Sequence, residues 1–338
     1  MDSERHSRYS GILFVVLTLL GWSSVLLFLK HLAPHIDVWT ANGWRYGVSA
    51  LMWLPLLVAG FWRQALPDGL WRRAIVPTLF NCGGQVCFGA SIYYIDPGLA
   101  GFLLRVALIS STLGAFVLFA DERVLMRRGA FWLGMGLVAA GSVGTIVFGH
   151  QPIIGGTAVG IALGAGSGIF FGLYGVSVRY WMRGVPSMTS FAAISLYTAA
   201  VMVALMIWRA DGRGASVFAL SASNWFVLIA SALIGIALGH VFYYASIARL
   251  GVAVASAVVQ LAPFIGGAAS VVIFKEILTP MQWISGVVML GGAGVLLWSE
   301  QSRRAAASTV RRESSNIVKP ARAGDDSGRA PALADRSR

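Results

Sequence analysis

GQVCFGASI, residues 84–92, lines up without gaps against GHVFYYASI at 239–247, sharing Gly, Val, Ala-Ser-Ile and an aromatic residue at the fifth place. The offset is 155 residues, and other pairs fall near it. Trp22 followed by Lys30 answers Phe171 followed by Arg179, ADER at 120–123 answers FKEI at 274–277, and Trp132 with Gly134 answers Trp283 with Gly286. Most of the chain is therefore expected to be one unit written twice, and the composition says in which solvent. Of 338 residues, 57% are hydrophobic and 12% charged, with a mean hydropathy of +0.72. A soluble domain is about half apolar and a quarter charged, so this chain is expected in a bilayer.

Crossing the hydrocarbon takes about 20 apolar residues per helix. Runs of that kind predict ten spans, near residues 11–30, 38–60, 73–95, 98–120, 130–148, 157–179, 188–208, 225–247, 251–274 and 281–299. The first run is too long for a signal-peptide core and no small-residue cleavage site follows it, so it is read as retained. The expected fold is an all-α integral membrane protein. Residues 11–148 form a first five-helix repeat and 157–299 a second, flanked by a short N-terminus (1–10) and a basic tail (300–338). An odd number of helices per repeat turns the second copy upside down relative to the first. Many secondary transporters are built that way, with a substrate site near the midplane at the repeat interface.

A net charge of +12 on a soluble protein would point to nucleic acid. Threaded through ten spans, it marks orientation instead. One side receives Arg5, Arg8, Arg63, Arg72, Arg73, Arg123, Arg127, Arg128, Arg179, Arg183, Arg249 and the tail, and the other only Lys30, Arg209, Arg213 and Lys275. Basic short loops face the cytoplasm, so both termini are expected there, at the cell's inner membrane, with no nucleic-acid partner. The tail is rich in Ser, Ala, Arg, Pro and Asp, too poor in large apolar residues to fold, and is expected to be disordered.

Polar residues inside spans carry the functional reading. Arg105, in GFLLRVALISS (101–111), stays protonated under any ordinary condition and is costly at membrane depth. Asp96, Glu122 and Glu276 sit only at span ends, so its partners are cavity water, backbone carbonyls or an anionic substrate group; snorkelling toward headgroups is the competing reading. At the repeat offset Arg105 corresponds to Gln260, and Gln85 to His240. Each should face protein or a wet cavity, as an interhelical hydrogen-bonding group or a substrate contact, and His240 is a candidate proton carrier. Among the aromatics, Trp22 and Tyr244 are taken as cavity liners, and Tyr94, Tyr174 and Tyr243 are weighed beside them, packing or the interfacial belt being the ordinary role of most. Cys82 and Cys87 lack metal-site spacing and read as buried thiols.

Gly156, Gly160, Gly164, Gly168 and Gly172 recur every fourth residue, a stripe that lets helices approach closely; packing within the chain is the first expectation, leaving a monomer, and a dimer interface the second. No HExxH or GxSxG occurs, and GAGSG at 164–168 lies within a membrane span with no strand before it, so neither an enzyme nor a nucleotide loop is indicated.

These residues resemble the EamA-type branch of the drug/metabolite transporter superfamily. The resemblance covers residues 11–299 and rests on TLLGWSSVLLFLK (18–30), Arg45 opening the second span, Ala-Ser-Ile-Tyr-Tyr (90–94) closing the third, an acidic residue ending spans four and nine, and LGVAVASAVVQLAPFIGGAASVVIFKE (250–276) with Pro263. The fourth span departs from the pattern, with Arg105 present and proline absent. The resemblance implies ten helices around a central cavity and movement of small metabolites such as amino acids, usually outward. No cofactor is implied. The expected site is Arg105, Gln260, Gln85, His240, Trp22, Tyr244 and Arg45, the last holding the outer mouth; a channel or a membrane-embedded enzyme is the alternative.

Overall fold

A computed structural model describes residues 2–95, 97–149, 157–275 and 277–317. It is helical throughout, with no strand among the described residues. The first half comprises α1 (Asp2–Leu32), α2 (Val38–Trp62), α3 (Leu70–Ser91), α4 (Pro97–Leu103), α5 (Val106–Leu118), α6 (Ala120–Met126) and α7 (Gly129–Val147). The second comprises α8 (Ala158–Trp181), α9 (Ser187–Arg209), a 3-10 segment (Asp211–Ala219), α10 (Ala222–Ala230), a π-helical segment (Ser231–Leu238), α11 (Gly239–Leu250), α12 (Val252–Val259), α13 (Ala262–Ile273) and α14 (Pro280–Ile317).

Among the described residues, eight segments are long and apolar enough to cross a membrane. These are α1, α4–α5, α7, α8, α9, α10–α11, α12–α13 and the first part of α14. Helices α2 and α3, with 25 and 22 residues, reach about 37 and 33 Å at 1.5 Å per residue but are less apolar. Asn42, Arg45, Arg72, Arg73, Asn81 and Gln85 are the reason. The outer surface carries Leu51, Leu79, Ile109, Leu113, Val117, Val272 and Val287, each at least 60% exposed. A lipid-facing wall accommodates such a surface and water does not.

Two compact units are distinguished, Met1–Glu300 and Gln301–Arg338. The second is helical over 301–317, where alanines are strong helix formers. Residues 318–338 of the tail expected to be disordered, like Asp96, Gly156 and Glu276, lie outside the described residues.

Within the first unit, helix pairing maps onto itself when the halves are exchanged. Helix α3 packs on α8 as α11 packs on α1, α5 on α8 as α13 on α1, and α2 on α9 pairs equivalent elements. Helices α2 and α9 run antiparallel: Gly43 sits against Met206 while Ser49 Oγ meets Ser195 Oγ at 3.3 Å. The glycine stripe on α8 packs within the chain. A Cβ on Gly164 would meet Leu103 at 2.7 Å, one on Gly168 the Leu103 carbonyl at 2.8 Å, and one on Gly172 the Ala107 carbonyl at 2.5 Å. Only glycine lets α8 seat the segment that bears Arg105.

Candidate functional site

Spans four and nine, expected as continuous helices, are each two helices joined by a tight turn, at residues 104–105 and 260–261. The ladder tightens to 3-10 spacing at both: Arg105 N donates to Phe102 O at 3.0 Å, Gln260 N to Ala257 O at 3.2 Å. In the second half Pro263 removes an N–H that a straight helix needs. The turn in the first half has no proline beside it; there the Arg105 side chain itself bonds back, Nε donating to Gly101 O at 3.2 Å.

At the turns the two halves meet. Arg105 Nη1 donates to Gln260 Oε1 at 2.6 Å and to Gln260 O at 3.3 Å. The first broken helix ends where the second begins, because Glu122, in α6 just beyond α5, accepts from Val252 N at 2.7 Å and Ala253 N at 2.9 Å. The equivalent broken helices therefore run antiparallel. Glu122 also pairs with Arg179, which bridges to Asp121 and lies over the Phe119 ring at 4.4 Å. At the opposite end Lys30 lies over Phe274 at 4.9 Å, and Phe274 is Phe119 plus 155.

A cavity of about 320 Å³ lies against the junction, within the size range of small-molecule sites. Six of the seven expected residues line it: Trp22, Arg45, Gln85, Arg105, His240 and Gln260. Arg105 does not snorkel but turns to the cavity wall. Arg45 lies deeper than a mouth residue, 5% exposed, with Nη1 3.4 Å from Asn42 Oδ1 and Nε buried without a partner. Gln85 Nε2 donates to Tyr46 Oη at 2.9 Å, an interhelical bond that also orients the amide at the wall.

The π-helical segment was not legible in the sequence, and it shapes this wall. Trp22 Nε1 donates to Gly235 O at 3.1 Å, and His240 Nδ1 lies 3.0 Å from Ile236 O. π-Helical turns favour functional sites because they disturb the regular pairing of carbonyls. His240 is further boxed by Phe191, stacked at 5.1 Å, and by Trp22 and Tyr174 edge-on at 5.4 and 5.9 Å.

Tyr244 is a correction: it does not line this cavity. It lies one turn past His240 on α11, its hydroxyl bonded to that of Tyr174, and it lines a second recess with Asp121, Arg179 and Arg183. Tyr174 lines the first cavity, so this tyrosine pair stands between the two. Tyr94 is half exposed and also outside it. Asn42, Tyr46 and Ser256 are wall residues that were not singled out, and Tyr243, named among the aromatics, lines the cavity with them; Tyr243 Oη meets Ser256 Oγ at 3.0 Å. Their signal was helical phase, since Asn42 precedes Arg45 by three residues and Tyr46 by four, and Ser256 precedes Gln260 by four.

The cavity lies from mid-height toward the end where α1 joins α2, with Leu29 and Val38 among its walls. Its residues are mostly apolar with a few polar handles, a surface for binding and orienting a small molecule. Among the described residues no cluster of His, Cys, Asp and Glu is placed to hold a metal ion.

The sequence pattern of the EamA-like transporter family matches residues 9–147 and again 158–298. A solved crystal structure described only as that of a protein has a TM-score of 0.69 and 20% identity, over 85% of this chain and 96% of its own. At that identity the likeness speaks to the fold. No curated protein sequence matches the chain.

Proposed function

The chain belongs to the EamA-like transporter family, a membrane transporter type, and from that premise we propose that it is an alternating-access secondary transporter exporting a small anionic or zwitterionic metabolite, such as an amino acid, across the cell membrane. Ten spans are inferred, α2 and α3 completing the eight apolar segments, with both termini cytoplasmic. The cavity then opens outward and the Glu122–Arg179 cluster closes the cytoplasmic end.

One observation carries the reading: antiparallel broken helices from the two halves meet at Arg105 and Gln260 on the wall of a mixed apolar and polar cavity. Inverted repeats with discontinuous helices at the midplane are the architecture of alternating access. Arg105, Arg45, Gln260, Gln85 and His240 are the substrate's polar partners in this account, with Trp22 as an aromatic wall. Tyr244 acts through Tyr174 at the cavity floor.

Reconstituted protein is expected to exchange labelled substrate against an internal pool with saturable kinetics. Conductance without exchange would make it a channel, and consumption of substrate in detergent an enzyme.

A further inference from the structure

Two arginines face one small cavity, and no carboxylate is among the described residues that line it. They are not equally provided for. Arg105 has three neutral oxygens within reach, from Gly101 and Gln260, which satisfy donors without cancelling charge. Arg45 has a single long contact to Asn42, and its Nε is buried without an acceptor. A guanidinium carries five donors and does not give up its proton, so Arg45 in particular is built to be completed by something it binds.

The arginines stand on different walls. Arg45 belongs to α2, which packs on α9 and the π-helical segment, and Arg105 precedes α5, which packs on α8 and α12. Their depths are similar: Arg45 is seven residues from Val38, about 10 Å at 1.5 Å per residue, and Arg105 eight from Pro97, about 12 Å. Trp22, Phe88 and Phe171 are apolar wall around them.

We propose that the cavity takes a small dianion whose two acidic groups are separated by a short apolar spacer, one group on Arg45 and the other on Arg105. A monoanion leaves one buried guanidinium without a counter-charge. An amino acid with a neutral side chain does the same and adds an ammonium to a wall that is already cationic. The proposal rests on the central cavity being the transport site, and it narrows the substrate class from anionic or zwitterionic to dicarboxylate-like.

The test uses full-length protein in detergent, with calorimetric titration of succinate, glutarate and adipate, the monomethyl ester of each, and leucine. At least one dicarboxylate is expected to bind ten-fold or more tightly than its monoester and than leucine. Arg45→Gln and Arg105→Gln should each erase that preference. Gln260→Glu, which hands Arg105 an internal carboxylate and removes no positive group, should shift the preference to the monoester. Equal or tighter binding of monoesters or leucine to the native protein, no binding of any dicarboxylate, or an unchanged preference in Gln260→Glu would overturn the proposal. Exchange in proteoliposomes separates the two readings. Saturable exchange of leucine or a monoester without dicarboxylate binding sinks the dianion site and leaves a carrier, whereas dicarboxylate binding without exchange of any probe leaves the site and sinks the carrier.

Discussion

Arg105 and Gln260 form the contact on which the site turns, and each is what makes the other tolerable at this depth. Arg105→Gln is expected to leave membrane insertion unchanged while weakening substrate exchange. A hydrogen bond to a charged group contributes about 1.5–3 kcal/mol, so half-saturation in countertransport should rise about 10- to 150-fold. Unchanged exchange would remove Arg105 from the site. The sequence placed Arg105 and Gln260 at equivalent positions of the two repeats, but their contact was not legible, because equivalent residues meet only near the axis relating the halves; at the same offset Gln85 bonds Tyr46 and His240 bonds Ile236 O. The burial of Arg45 was not legible either, since it depends on how α2 leans against α9 and the π-helical segment. Neither was the displacement of Tyr244 by Tyr174, which is decided by one turn of α11, a distance that helical period alone does not resolve.

Helix α8 holds the broken helix in place through backbone contact, and its glycines are exacting in different degrees. A Cβ at Gly172 would stand 2.0 Å from Ser110 Oγ and 2.5 Å from the Ala107 carbonyl, and backbone cannot yield as a side chain does. Gly172→Ala is expected to cost about 1–3 kcal/mol, seen as a lower Tm in detergent, and to weaken exchange by shifting the segment that bears Arg105. Gly136→Ala on α7 meets nothing within 4 Å and should leave Tm unchanged or slightly higher. Equal losses in the two variants would mean that the stripe is not a packing seam. At this scale the sequence predicted the helices and the stripe. It missed the paired breaks at 104–105 and 260–261, because only the second has a proline to mark it.

Across the whole molecule the two halves are expected to be mutually inverted in the bilayer. Cysteines replacing Arg63 and Arg213 should then react with a membrane-impermeant maleimide from opposite sides; labelling from one common side would refute the inversion. The Glu122 cluster at one end fastens the first half to the start of α12. Glu122→Gln should lower Tm, with a stability loss smaller than the roughly 3–5 kcal/mol of a fully orphaned buried charge, because Arg179 keeps Asp121. An unchanged Tm would mean that the pair does not fasten the halves. The antiparallel meeting of equivalent positions has a historical consequence. Were two separate, identical halves to assemble this way, each would meet its own copy there: two amides complement one another, and two guanidinium groups repel. A cation facing an amide oxygen is open only to halves whose sequences differ at that position, as the two repeats within this chain do.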